Sequence, residues 1–320
     1  KKLLAETRLP VTEVAFAAGF GSVRRFNSAV LDRFRLSPTA LRRAGSKTAA
    51  GADIRLLLHY RPPYDWEGVL GFFARHAIEG VEEITTTGYR RNMEGGHIEV
   101  SLVRGKHALR LTARLRDQRQ LMPVAATVRR MFDLDANPAA IGEVLAADRS
   151  LAPLLKRYPG IRSPGHWSLY ESAVRGIVGQ QISIQAARGV LAKLALAANG
   201  KGAPLSFPRP GRITCLADDR FPMPGRRRES LRGLCRLFAT SEGEPMLRDI
   251  SDLPGVGPWT VGMLSMRGLG KPDIFPEKDL GLERAWEKLP GGTAPLRDRT
   301  PDWRPWRSYA ANLLWRSLDL

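Results

Sequence analysis

Cysteine is nearly absent from this chain. There are two in 320 residues, Cys215 and Cys235. Two thiols cannot build a disulfide framework, a four-cysteine zinc site or an iron–sulfur cluster. Both are expected as buried or half-buried free thiols in a reducing cytosol. Histidine is scarce as well: the five (His59, His76, His97, His107 and His166) are scattered, and no pair has metal-ligand spacing on one helix. No metal is therefore expected. No apolar run reaches the length of a membrane span, and the one near residues 191–198 is broken by Lys193. No secretory leader is expected either: the chain opens Lys1-Lys2 without an initiator Met and reads as a piece of something longer. Acidic residues are outnumbered, 32 against 50 Lys and Arg, for a formal charge of +18. Such a field draws in polyanions, nucleic acid first among them, although ribosomal and membrane-surface proteins share the bias.

What is present falls into three blocks, and the expected fold is mainly α with one α+β domain. Residues 1–46 carry Leu3, Leu4, Val11, Val14, Ala15, Ala18 and Phe20 at helical spacing, punctuated by Gly19 and Gly21. Ser22 is a candidate N-cap for a second helix with Phe26 and Val30, and Ser37-Pro38 opens a third. Helix, glycine turn, helix is the shape of a helix-turn-helix. Residues 47–53 are small and polar and read as a linker. Residues 54–132 read as a small antiparallel-sheet domain: a strand over 54–60, a helix over 66–77, and a β-hairpin pairing Ile98, Val100 and Leu102 with Leu109, Leu111, Ala113 and Leu115 across Arg104–His107. Residues 133–320 show little strand pattern, and Pro and Gly clusters divide them into eight to ten expected helices.

The most informative string is Leu253-Pro254-Gly255-Val256-Gly257-Pro258-Trp259-Thr260, followed by an apolar helix over 261–267. Two glycines around one apolar residue permit a tight turn and a close approach by another molecule. The backbone amides opening the next helix form an anion site suited to a DNA phosphate, which makes Gly255, Val256, Gly257 and Thr260 the candidate phosphate contacts. Asp279 follows Gly257 by 279 − 257 = 22 positions, within Phe275-Pro276-Glu277-Lys278-Asp279-Leu280-Gly281. An Asp there can cap a helix and face a cleft at once.

These two strings together resemble the hairpin and catalytic Asp segment of the helix-hairpin-helix DNA glycosylases. Members that are also lyases carry a Lys where this chain has Trp259, and several hold an iron–sulfur cluster that two cysteines cannot supply. The resemblance therefore narrows to the AlkA type, the bacterial 3-methyladenine DNA glycosylase II. Pro62-Pro63-Tyr64-Asp65-Trp66 with Leu70-Gly71-Phe72 is similar to its N-terminal segment. Residues 174–183 (Val174-Arg175-Gly176 through Gln180-Gln181-Ile182-Ser183) are similar to its DNA-wedging segment, and Trp306-Arg307-Ser308-Tyr309-Ala310 with Trp315 to its C-terminal helix. The resemblance spans residues 54–320.

It implies a monofunctional glycosylase that acts as a monomer on damaged double-stranded DNA in the bacterial cytoplasm, on the nucleoid. Asp279 would be catalytic. Phe72, Trp259 and Trp315 would line the base pocket, where aromatic faces attract an electron-poor alkylated purine. Met263 stands where the family often has Tyr. Gln181 would be the wedge that fills the gap of a flipped nucleotide; a helix cap or a solvated amide is the other reading. The resemblance implies no cofactor beyond a monovalent cation on the hairpin's backbone carbonyls. Residues 11–42 resemble the second helix-turn-helix of an AraC-type activator, as in Ada/AlkA fusion proteins. Arg24, Arg25 and Asn27 fall on its recognition helix, as DNA contacts or as a solvated basic face. The cluster Arg226-Arg227-Arg228 with Arg232 and Arg236 is open between a DNA-backbone contact and a solvated face. The alternative to an active glycosylase is a DNA-binding regulator of the alkylation response with a weak or inactive glycosylase module.

Overall fold

The computed structural model describes residues 3–4, 9–34, 37–39, 53–117, 120–200, 205–290 and 294–318. Of the expected linker at 47–53, residues 47–52 lie outside these residues, as does Arg42. In the N-terminal block, helices Val11–Ala17 and Val23–Phe34 are joined by a turn in which Gly19 takes φ +81°. The Ser22 hydroxyl accepts the Arg25 amide at 3.3 Å, the capping bond expected of it.

The second block is a five-stranded antiparallel sheet in the order β1-β5-β4-β3-β2. Its strands are β1 Ile54–His59, β2 Glu82–Thr85, β3 Gly88–Met93, β4 Gly96–Val103 and β5 Ala108–Leu115. The expected hairpin is β4–β5, with Ile98 opposite Ala113 and Val100 opposite Leu111. Strands β2 and β3 were not expected from the sequence. Their inward positions include Glu82 and Arg91, buried charges that break the apolar alternation. Helix Trp66–His76, capped by Asp65 through Gly68 N at 2.8 Å, packs Phe73 against Tyr89 of the sheet.

Beyond Met131, eleven α-helical segments can be followed among the described residues, one more than the upper expectation. Two apolar cores organise them. One gathers Val174, Ile177, Leu191, Leu234 and Ile250; the other gathers Ile141, Leu145, Trp286, Trp303 and Leu313. Ion pairs fasten the sheet to the helical domain. Arg91 bridges Glu82 (3.1 Å) and Glu171 (2.5 Å), and Arg175 bridges the same two carboxylates at 2.5 and 2.7 Å. All four side chains are less than a tenth exposed. Burial alone would raise the Glu82 pKa, but Arg175 and Arg91 hold it down at about 2. Helix Leu169–Val178, thus fixed to the sheet, leads directly into the Gln180–Gln181 turn. Cys235 is buried as expected; Cys215 is exposed, because it ends the short helix Pro210–Thr214 at the surface.

Candidate active site

The hairpin string forms its turn as the glycines dictate. Gly255 takes φ +86°, and a Cβ there would lie 2.8 Å from the Ser230 hydroxyl. Gly257 is the N-cap of helix Pro258–Met263, and a Cβ on it would meet nothing within 4 Å. Its smallness serves no internal packing and leaves the surface open to an approaching molecule. Pro258 sits at the first turn, where its missing N–H costs nothing, and the amides of Trp259 and Thr260 lie in the turn whose donors have no partner within the helix. Val256 is half-buried. Thr260 is buried as a whole, 3 % exposed, with Oγ1 3.4 Å from the Gln180 amide nitrogen. The chain then continues in a π-helical turn, Leu264–Gly268.

Asp279 caps helix Leu280–Glu287: Oδ1 accepts the Leu282 amide at 3.0 Å. Two indoles also donate to it, Trp315 Nε1 to Oδ1 at 3.1 Å and Trp259 Nε1 to Oδ2 at 3.2 Å. The residue before it, Lys278, holds φ +61°, a conformation rare outside glycine that turns the chain so that Asp279 faces the two tryptophans. Gly281 makes room for this arrangement, since a Cβ there would stand 3.4 Å from the Trp315 ring and 3.0 Å from Asp279 Oδ1. The carboxylate and both indoles are half-buried. Three donors therefore orient an acceptor that remains accessible. Met263 lies four residues after Trp259 on the same helix, hence on the same side of it, and is half-buried.

Phe72 joins this group through an arginine that the sequence did not single out. The Arg267 guanidinium lies over the Phe72 ring at 4.5 Å and over the Trp315 ring at 5.2 Å. Phe72 is itself 7 % exposed and packs on Phe73, on His76 at 4.4 Å and on His166 at 6.1 Å. Burial drives both imidazoles toward the neutral form. The His76 pKa falls to about 3 despite the Phe72 carbonyl 2.8 Å from its Nδ1. That of His166 falls well below the usual value, through burial and then the nearby Arg175. His166 Nδ1 lies 3.0 Å from the Ser172 hydroxyl.

Gln181 stands exposed on the turn between helices Leu169–Val178 and Ile184–Asn199, with φ +58°. Ser183, not Gln181, caps the second of these helices through Ala186 N. The preceding Gln180, unremarked in the sequence, ties this turn to the hairpin by donating its amide to the Gly255 carbonyl at 2.7 Å. Arg227 in turn donates to the Gln180 carbonyl at 2.6 Å. Of the other clustered arginines, Arg228 and Arg232 pair with Asp218 at 2.9 and 2.5 Å, while Arg226 and Arg236 are exposed. In the N-terminal block Arg24, Arg25 and Asn27 are all exposed on one helix. Among the described residues no helix is long and apolar enough to cross a membrane.

Residues 55–168 match the family described as "AlkA N-terminal domain", and residues 1–44 match "Helix-turn-helix domain". Among curated relatives, a probable bifunctional transcriptional activator/DNA repair enzyme AlkA of Mycobacterium tuberculosis is 38 % identical, the alignment covering 99 % of this chain and 68 % of that protein. DNA-3-methyladenine glycosylase 2 of Escherichia coli is 29 % identical over 81 % of this chain and 95 % of its own length. Among solved structures, a 3-methyladenine DNA-glycosylase from Archaeoglobus fulgidus shares the fold, with a TM-score of 0.67 at 18 % identity over 82 % of this chain and 97 % of that one.

Proposed function

From the premise that the chain belongs to the AlkA family of DNA-3-methyladenine glycosylases, we propose that it excises alkylated bases of the 3-methyladenine and 7-methylguanine class from duplex DNA, with Asp279 as its catalytic carboxylate. The observation that carries this reading is the half-buried Asp279 held by Trp259, Trp315 and the Leu282 amide. A damaged nucleotide enters between the aromatic side chains of Phe72, Trp259 and Trp315, beside Met263. Gln181, exposed at the tip of its turn, takes the vacated place in the stack. The bond from C1′ to the base nitrogen breaks with its electron pair going to the base, and positive charge builds on the sugar. Asp279 stabilises that charge and orients a water, whose oxygen then bonds C1′ as one proton is released. Trp259 stands where a lyase would need an amine, so no Schiff base forms and the product is an abasic site in an intact strand.

The backbone at Gly255, Val256, Gly257 and Thr260 serves as the phosphate anchor. A monovalent cation is part of the same proposal. Carbonyl oxygen is the donor such an ion takes, and each carbonyl has two lone pairs. The Leu253 carbonyl accepts one bond, from Val256 N, and the Gly255 carbonyl one, from Gln180, so each retains capacity for such an ion. Bound there, the ion would add positive charge beside the phosphate. The N-terminal block supports a second role in transcription activation, with Arg24, Arg25 and Asn27 as DNA contacts on an exposed helix face. We place the protein as a monomer in the bacterial cytoplasm, on the nucleoid.

The test is to incubate the purified protein with methylated duplex DNA and count released bases by chromatography. Release of 3-methyladenine or 7-methylguanine without strand cleavage is expected. Tight DNA binding with no base released would leave the regulator role alone, and strand nicking would overturn the monofunctional mechanism.

A further inference from the structure

We propose that Arg267 is the base-side counterpart of Asp279: a fixed positive charge that draws the bonding electron pair onto the departing base. The inference rests on the reading of Phe72, Trp315 and Asp279 as the base pocket. Arg267 is 3 % exposed, yet no ion pair to it exists among the described residues. Its guanidinium donates to the Pro164 carbonyl at 2.7 Å and to Asn312 Oδ1 at 2.8 Å, and otherwise rests on the faces of Phe72 and Trp315. The charged groups that act on it are Arg75, Asp133 and Asp279, and His76 and His166 beside Phe72 are held neutral. A buried charge without a counter-ion is costly, and strongly perturbed buried groups cluster at functional sites. Trp315 connects the two ends: its face carries Arg267 and its Nε1 donates to Asp279.

The charge arithmetic is the same for every lesion. A cationic base leaves as a neutral molecule, and a neutral base leaves as an anion. In both cases the charge on the base falls by one while the charge on the sugar rises by one. A cation near the base and a carboxylate near the sugar both favour that transfer. The ground states differ, however. A cationic lesion is repelled by Arg267 when it binds, and a neutral lesion is not. A base stacked on the far face of the half-buried Trp315 ring would lie roughly 8 Å from the guanidinium. A unit charge at that distance, through an effective dielectric near 20, corresponds to about thirtyfold in rate.

The experiment measures kcat and KM on duplexes carrying one 7-methylguanine (cationic) or one hypoxanthine (a neutral deaminated purine), for wild type, Arg267→Met, Arg267→Lys and Asp279→Asn. For Arg267→Met, kcat is expected to fall about thirtyfold on both substrates, while KM falls only for the cationic one. Arg267→Lys, which keeps the charge, should retain most of kcat at pH 6.5. Buried lysine gives up its proton more readily than arginine, so its rate relative to wild type should drop on going to pH 8.5. The Lys profile decides the matter should the Met variant fail to fold, and a ratio constant with pH then overturns the proposal. Unchanged kcat in Arg267→Met, equal losses in the Met and Lys variants, or no release of the neutral base by wild type would each overturn it as well. If Asp279→Asn slows excision but Arg267 shows none of these signatures, only this inference fails. If Asp279→Asn has no effect, the pocket reading itself fails.

Discussion

Two sets of buried arginines, one at a seam between domains and one at the site, are treated in opposite ways. At the seam between sheet and helices, Arg91 and Arg175 share Glu82 and Glu171, so two cations meet two carboxylates out of water. At the site, Arg267 meets aromatic faces, a carbonyl and an amide oxygen, but no carboxylate among the described residues. Paired charge at the seam joins sheet and helices with no net charge, although Arg175 still acts on His166. Unpaired charge at the site keeps its field for whatever enters. Burial pushes the Arg267 pKa down to about 9, whereas the carboxylates at the seam overcome burial and raise that of Arg91.

Breaking the seam should have the largest effect on stability. Glu171→Gln leaves two buried arginines to share Glu82, and a loss of about 3–5 kcal/mol is expected in urea unfolding. A loss below ~1 kcal/mol, the range of surface pairs, would mean that the seam is not as dry as its burial indicates. Acid should expose the next contrast. The neutral histidines beside Phe72 have folded pKa values below 6.5, about 3 for His76. The unfolded chain therefore binds more protons between pH 6.5 and about 3. Their stabilisation is complete above pH 6.5 and is lost as pH falls through that window. Asp133, raised by burial to about 6, works the other way between pH 6 and 4, but it is one group against two. The urea midpoint should fall steadily from pH 7 to pH 4, and His76→Gln should flatten the slope. A midpoint that rises on acidification would contradict the assignment.

A smaller effect concerns the indole that joins the two charges. Trp315→Phe keeps the ring under Arg267 and removes the donor to Asp279, so base release should slow by about tenfold with little change in fold stability. No change in rate would show that Trp259 and the Leu282 amide suffice to orient the carboxylate. Smallest should be the stability cost of Arg267→Met. It replaces an unpaired buried charge by an apolar side chain and leaves two acceptors short, for about 1–2 kcal/mol. A cost equal to that of Glu171→Gln would erase the distinction between seam and site.

Much of this was legible in the sequence because the information is local. Gly255 must turn, Pro258 must open a helix and Asp279 must cap one, and all three act on neighbours within a few positions. The β4–β5 hairpin was legible for the same reason, since its apolar residues alternate without interruption. Strands β2 and β3 were hidden because buried Glu82 and Arg91 read as solvent-facing until their partners on a distant helix are known. Arg267 was hidden more deeply. At the end of an apolar helical run it reads as an ordinary C-terminal cation, and nothing in the chain announces that Phe72 and Trp315 will close over it. In the sequence Gln180 has no role of its own, and Arg227 reads as a DNA contact or a solvated cation, because their bonds reach across the fold to backbone carbonyls, which leave no mark on composition or spacing.

The measurement that bears most directly on the account is base release from methylated duplex DNA by wild type and by Asp279→Asn, compared at equal DNA occupancy. The substitution keeps the helix cap and removes the charge. A unit charge pair at roughly 4 Å and an effective dielectric near 20 is worth about 4 kcal/mol, so the variant should release 3-methyladenine and 7-methylguanine about a thousandfold more slowly. Equal rates in the two proteins would mean that the carboxylate held by Trp259 and Trp315 is not the one that faces the sugar.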